Sequence, residues 1–239
     1  MPYLVILAGG MATRLGHLTA EIPKALISVA GKPFIAHQLQ LAAREGIKRV
    51  VLCVGHMGER IQDFVDDGSR FGLHVSYSLD GHRLMGTGGA VMKALPILSS
   101  VFIVIYGDSY LDTSYRPILE QFQASGKLGL MTVFRNDNQW DRSNIEFREN
   151  SIISYDKKNF TQGMRHIDYG LSVLKAEIFD EWPTDEPYDL ADVFHALIER
   201  RELAGYEVKE RFYEIGSPEG LRETDFHLSK KREKNVILG

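Results

Sequence analysis

Two glycines, an arginine and a lysine gather near the start of the chain, in Leu7-Ala8-Gly9-Gly10, Thr13-Arg14 and Pro23-Lys24. Adjacent glycines after an apolar run let the backbone turn sharply and let a bulky ligand lie directly on main-chain N–H groups. Concave arrays of such groups bind phosphate oxygens. Arg14 and Lys24 would add the side-chain charge that a polyphosphate needs, so the stretch reads as a seat for a nucleoside triphosphate. It is not a Walker loop, because no Gly-Lys-Ser/Thr follows, and the Gly-x-Gly-x-x-Gly spacing of dinucleotide sites is absent. Taken as structure alone, Gly9-Gly10 is a tight turn at a strand end. The long segment before the first helix has no structural signature of its own, and such connections are usually functional.

Other groups could join this chemistry. Asp108 follows the apolar run Val101–Tyr106, where a lone Asp is a turn residue, a helix cap or a metal-binding carboxylate. Asp112 could assist it or cap the next helix. Gly86-Thr87-Gly88-Gly89-Ala90 can start a helix with small residues for packing, bring backbone against a flat ring, or do both. Asp156-Lys157 is a charge pair at a strand end. Gly170 lies inside a strand pattern, where glycine marks a bulge or a close approach. His37, His74 and His166 show no ligand pairing and read as surface or satisfied core residues. The single cysteine, Cys53, sits in an apolar run and reads as a small buried residue; one cysteine excludes a disulfide framework and a multi-cysteine zinc site.

The elements that must position these residues follow from apolar patterning. Leu4–Leu7, Val50–Val54, Val101–Tyr106 and Leu130–Phe134 are continuous apolar runs, as expected of parallel strands covered on both faces. Helices are expected between them: one through Ile35, Leu39, Ala42 and Ala43 that ends at Gly46, one through Ile61–Val65, one over Ala90–Leu98 and one over Tyr115–Phe122. Strand and helix in alternation predict an α/β fold with a doubly wound, mostly parallel sheet. Ligands in such sheets bind beyond the carboxyl ends of the strands, which here carry Gly9-Gly10, Gly55-His56 and Gly107-Asp108.

The second half predicts a smaller β-rich part: Asn144–Phe147 paired with Ile152–Tyr155, then Ile167–Leu174, a helix over Leu190–Arg200, and strands at Tyr206–Val208 and Phe212–Ile215. A last helix over Pro218–Lys231 has Ser217 as its N-cap. The basic run Lys230–Lys234 reads as a solvated end. One domain is expected over 1–239, with a nucleotide half to about 135 and a second-substrate half after it. A net charge of −4 argues against nucleic-acid binding driven by charge. No secretory signal or membrane span is visible, so the expected compartment is the cytoplasm and neither nucleic acid nor membrane is an expected partner.

Leu7-Ala8-Gly9-Gly10, Arg14-Leu15, Pro23-Lys24-Ala25-Leu26 and Gly31-Lys32-Pro33, at these spacings, resemble the opening signature of the sugar-1-phosphate nucleotidyltransferases. The resemblance spans essentially the whole chain, from Tyr3 to about Leu221. It implies a Rossmann-like nucleotidyltransferase fold and a smaller sugar-binding part. It implies that Leu7, Ala8, Gly9, Gly10 and Thr13 hold the nucleotide, with Gly86, Thr87 and Gly88 near its base and ribose. Asp108 corresponds to the carboxylate that holds Mg²⁺. Glu214, in Tyr213-Glu214-Ile215-Gly216-Ser217-Pro218-Glu219, stands where many members have an Asp as second ligand, and its longer arm would move the ion or need a bridging water. Lys157 would meet the sugar phosphate, Asp156 and Asn144 the sugar, and Gly170 would let the sugar lie against backbone.

The implied reaction joins a sugar 1-phosphate to a nucleoside triphosphate and releases pyrophosphate, with Arg14, Lys24 and Asp108 as the catalytic groups. Within the family, the motifs look most like the D-glycero-D-manno-heptose 1-phosphate guanylyltransferase branch, although thymidylyl, uridylyl and cytidylyl relatives share nearly all of them. Two readings of other classes stand beside this one. One is a non-catalytic nucleotide-sugar sensor on the same fold; the other is a dinucleotide-dependent oxidoreductase, which the missing fingerprint disfavours.

Overall fold

The computed structural model describes residues 1–10, 22–81 and 83–237. Its strands and helices in chain order are β1 (Tyr3–Leu7), β2 (Ser28–Val29), β3 (Lys32–Pro33), α1 (Phe34–Arg44), β4 (Arg49–Val54), α2 (Gly58–Val65), β5 (His74–Leu79), α3 (Gly86–Ala94), β6 (Val101–Tyr106), β7 (Ser109–Tyr110), α4 (Tyr115–Ser125), β8 (Gly129–Arg135), β9 (Ile145–Arg148), β10 (Ser151–Tyr155), β11 (His166–Lys175), α5 (Leu190–Glu199), β12 (Leu203–Val208), β13 (Tyr213–Glu214) and α6 (Pro218–Ile237).

Nine strands form one sheet in the order β5-β4-β1-β6-β11-β8-β12-β10-β9. The first four are mutually parallel, β11 runs against both β6 and β8, and β12 is parallel to β8. The sheet is therefore mostly co-directional and has helices on both faces. Leu4 and Ile6 of β1 pack with Leu39 of α1, Ile61 of α2 and Phe122 of α4. Val5, between them, packs on the opposite face with Val91 of α3 and Val193 and Phe194 of α5. Burial of both strand faces is what makes these runs continuously apolar. The second half does not build a separate sheet: β11 inserts between β6 and β8.

Several boundaries differ from expectation. β5 was missed because its burial alternates, as on a sheet edge, where no continuous apolar run appears. The helix expected over Ala90–Leu98 begins four residues earlier, since the glycine segment is itself the first turn of α3. The strand expected at Phe212–Ile215 shrinks to β13, which pairs with β7 outside the large sheet. Ser217 caps α6 as expected, its Oγ accepting from Gly220 N at 2.9 Å. Asp112 neither caps α4 nor faces the glycine loop: it pairs with Arg44 and with Lys231. Lys231 thus belongs to a docked helix, and Arg232 donates to Ala30 O, so the basic run is not simply a solvated end.

The carboxyl ends of β1 and β6 are pressed together. Leu7 pairs with Tyr106 in parallel register, and Gly107 N donates to Leu7 O at 3.0 Å. A Cβ on Gly107 would stand 2.6 Å from Leu7 O and 2.9 Å from Ala8 Cα, both backbone atoms that cannot swing aside. Gly107→Ala should therefore separate the two strand ends and cost about 1–3 kcal/mol, the scale of overpacking in a filled core. A chemical-denaturation midpoint equal to wild type would contradict this.

Candidate active site

A cavity of about 270 Å³ opens where those strand ends meet. Leu7, Ala8, Gly9 and Gly10 line it from the end of β1, Gly86 and Thr87 from the start of α3, and Gly107 and Asp108 from the end of β6. Lys24 reaches in from the short 3-10 turn Lys24–Leu26, which is held by Leu26 N donating to Pro23 O at 2.8 Å. Its Nζ lies 3.0 Å from Asp108 Oδ2, 84 residues away in sequence. The two side chains are 18% and 34% exposed, so the pair is open enough to meet a ligand and buried enough to be weakly screened.

Thr13 and Arg14 lie outside the described residues. Gly88 does not reach the cavity: its N donates to Tyr188 O at 2.9 Å, and a Cβ there would stand 2.4 Å from the Tyr188 ring. Its smallness serves the packing of α3 against the Tyr188-Asp189 segment. Thr87 Oγ1 is itself held there, accepting from Leu190 N at 2.8 Å.

The cavity is also lined by residues that the sequence motifs do not assign a role. Asp80, just past β5, is 6% exposed and lines it. Its Oδ2 would lie 3.2 Å from a Cβ on Gly9 and 3.1 Å from one on Gly55, so the carboxylate fills the space beneath both. Burial pushes its pKa up, against the opposing pull of the Met85 N–H and the Lys93 charge. Tyr106 and Asp189 also line the wall. The signal for Asp80 was available: it ends a strand on the same rim as Gly9, Gly55 and Asp108. The edge strand before it alternates in burial and leaves no continuous apolar run to mark it.

The lining has one ammonium, Lys24, and three carboxylates, Asp80, Asp108 and Asp189, among the described residues. A polyanion seated here needs further positive charge. Asp108 offers hard oxygen donors of the kind that suit magnesium, which usually takes one or two carboxylates and fills its other positions with water and substrate phosphates. Among the described residues no group of three or more His, Cys, Asp or Glu could form an all-protein cage. The donor set would fit a magnesium ion carried in with phosphates, and Asp108 is the carboxylate that could hold it.

Glu214 is placed differently from the expected second ligand. Its Oε2 accepts from Gly216 N and from Ser217 N at 3.1 Å, and its Oε1 accepts from Ser217 Oγ at 2.6 Å. The carboxylate therefore closes the turn into α6, where free N–H groups and the helix dipole favour an anion. It still flanks the centre, since a Cβ on Gly216 would lie 2.7 Å from Glu214 Oε2 and 3.4 Å from Asp108 Oδ2.

The four residues expected at the sugar, Asn144, Asp156, Lys157 and Gly170, do not line this cavity. Asn144 bridges backbone, its N donating to His166 O at 2.9 Å while its carbonyl accepts from Asp156 N at 3.0 Å; its side-chain Oδ1 is buried without a partner among the described residues. Asp156 folds its carboxylate onto the N–H groups of Lys158 and Asn159 at 2.7 and 2.9 Å. Those bonds pull its pKa down to about 2. Lys157 is exposed, and Gly170 adopts φ 96 in β11.

Comparisons with known proteins bear on the family and the fold. Residues 3–231 match the family model described as nucleotidyl transferase. A D-glycero-alpha-D-manno-heptose 1-phosphate guanylyltransferase of Campylobacter jejuni is 27% identical over 90% of this chain and 95% of its own length. A UTP–glucose-1-phosphate uridylyltransferase of Synechocystis is 24% identical over 82% of this chain and 55% of its own. The crystal structure of HddC from Yersinia pseudotuberculosis complexed with GMP-PN superposes with a TM-score of 0.80, at 25% identity, covering 95% of this chain and all of that one.

Lys24→Ala would remove the ammonium that faces Asp108. Its affinity for a nucleoside triphosphate, measured by calorimetry, should fall by about tenfold or more, since a hydrogen bond to a charged group contributes ~1.5–3 kcal/mol. An unchanged affinity would take Lys24 out of the phosphate seat.

Proposed function

The chain belongs to the nucleotidyl transferase family, and we propose that it condenses GTP with a manno-configured heptose 1-phosphate to give a GDP-sugar and pyrophosphate. Sugar-1-phosphate nucleotidyl transfer is the activity that the family and the site support. The choice of guanine rests on one observation, the buried Asp80 carboxylate. An ionised carboxylate only accepts hydrogen bonds. The Watson–Crick edge of guanine presents two adjacent donors, N1–H and N2–H₂, whereas uracil and thymine present one N–H between two carbonyl oxygens. A base edge on Asp80 that lacked those donors would leave a buried anion facing acceptors, which is costly. In this reading the phosphates lie toward Lys24 and the base edge toward Asp80. The heptose choice is supported by the named activity of the Campylobacter relative, which matches along nearly its full length.

The chemistry asks for charge control more than for acid–base groups. The attacking phosphate monoester has a second pKa of about 6 and is already largely dianionic at neutral pH. The obstacle is bringing two anions together, so catalysis is positioning plus neutralisation of charge. Ala8 N is engaged with Cys53 O at 2.8 Å, so the backbone N–H groups that cradle phosphate oxygens are those of Gly9 and Gly10. Lys24 stands against the α-phosphate, where its charge counters what builds up as the phosphorus is attacked. Asp108 would hold Mg²⁺, which would supply further neutralising charge at the α-phosphate. Arg14 would meet the departing pyrophosphate.

A pyrophosphate-release panel of GTP, ATP, UTP, dTTP and CTP against hexose and heptose 1-phosphates tests this directly. GTP should exceed the pyrimidine nucleotides in kcat/KM by at least about 10²-fold, as expected when a buried polar group must be paired. Equal use of UTP or dTTP would move the chain to the uridylyl or thymidylyl reading, and no release with any pair would leave a binding protein. Activity should also vanish in excess chelator and return with added magnesium; full turnover in the chelator would refute the metal assignment.

A further inference from the structure

Between β6 and β7 the chain turns on two residues, Gly107 and Asp108, and this turn carries the carboxylate that faces Lys24. The carbonyl oxygens on its two shoulders, Tyr106 O and Ser109 O, both accept from one side-chain amide, Gln38 Nε2, at 2.9 and 2.8 Å. Gln38 belongs to α1 and is 2% exposed. Carbonyl oxygens only accept, so the amide must present its nitrogen here, with one N–H for each. That leaves Gln38 Oε1 buried with no hydrogen-bond partner among the described residues. An orphaned buried acceptor costs stability. The reversed amide would set its oxygen against two others, so the fold tolerates the orphan in order to place two donors on this turn.

The residue before Gln38 grips the other half of the Lys24–Asp108 pair. His37 Nε2 donates to Val29 O at 2.7 Å. At the start of α1, Phe34 N donates to Ile27 O at 2.9 Å, and Ile27 N donates to Lys24 O at 3.1 Å. α1 therefore holds the segment that carries Lys24 and, one residue on, the turn that carries Asp108. The helix is itself fixed, since Ile35, Leu39 and Ala42 are buried in one core with Leu4 and Ile6 of β1. Asp108 O also accepts from Ile215 N at 2.9 Å, which ties the turn to the segment after β13. Gln38 is not among the residues that line the cavity, so any effect it has on a bound nucleotide passes through the turn.

We propose that Gln38 is a positioning residue for the reaction: its double hydrogen bond sets where the Asp108 carboxylate stands relative to Lys24 and the phosphates. This rests on the transferase reading above. A group displaced by about 1 Å from its productive place can cost on the order of 10²-fold in rate.

The test uses the triphosphate and sugar 1-phosphate of fastest turnover in the panel. Gln38→Met keeps the length of the side chain and removes both donors. Its kcat should fall by about 10- to 100-fold, with KM for either substrate within about threefold of wild type. The second measurement is a double-mutant cycle with Asp108→Asn, followed as kcat, or as triphosphate affinity by calorimetry with magnesium where turnover is too slow. Once Asp108 is disabled, adding Gln38→Met should cost no more than about a further twofold. Residues that act through one another are non-additive in this way, whereas a merely structural role would multiply the two losses. If Gln38→Met does not fold, judged by circular dichroism, Gln38→Asn replaces it, because it keeps the amide but is one carbon too short to reach both carbonyls. A wild-type kcat in the Gln38 variant, or losses that multiply in full, would overturn the proposal and leave the transferase reading intact. Wild-type turnover in Asp108→Asn, or no pyrophosphate release by wild type with any pair, would overturn both.

Discussion

The Lys24–Asp108 pair is the interaction on which the rest of the site depends. Its partners are 84 residues apart and meet only because β1 and β6 are parallel neighbours whose carboxyl ends converge. That convergence requires Gly107, which has no room for a side chain against Leu7 O and Ala8 Cα. The two cores on either face of the sheet hold the strands in register. The central residues of β1, Leu4, Val5 and Ile6, are each 0% exposed. Packing therefore sets the distance between a lysine and a carboxylate, and that distance decides where a phosphate can be met.

The charge balance of the cavity explains why the pair does not suffice. Asp80, Asp108 and Asp189 face a single ammonium among the described lining residues. Acids at a phosphate site look paradoxical until their tasks are separated. Asp80 is buried under Gly9 and Gly55, and in the proposed function it reads hydrogen-bond donors. Asp108 is one-third exposed, stands against Lys24 and suits a hard cation. Asp189 opens α5 in a reciprocal cap with Asp192 and holds the Thr87 segment in place. The same residue type does three jobs because burial and neighbours differ.

How much of this was legible in the sequence differs from residue to residue. β1, β4, β6 and β8 were readable because strands buried on both faces are continuously apolar, and the rim carrying Gly9 and Asp108 followed from them. β5 was not, because an edge strand alternates, and Asp80 was lost with it. Position on the rim was more legible than orientation. Glu214 and Asp156 both lie where carboxylates were expected, yet each turns onto nearby backbone N–H groups, a competition that sequence spacing does not reveal. Gly170 was legible as a strand irregularity, and it falls where the ladder between β11 and β8 is broken.

The central claim is that a nucleotide lies across this rim with its phosphates at Lys24 and its base edge at Asp80. A crystal structure of the protein with magnesium and a non-hydrolysable GTP analogue tests it most directly. The account predicts the α-phosphate within hydrogen-bond distance of Lys24 Nζ, the metal on Asp108 and the guanine N1–H and N2–H₂ on the Asp80 carboxylate. A triphosphate bound away from Gly9-Gly10 and Lys24, or a guanine edge turned away from Asp80, would contradict it.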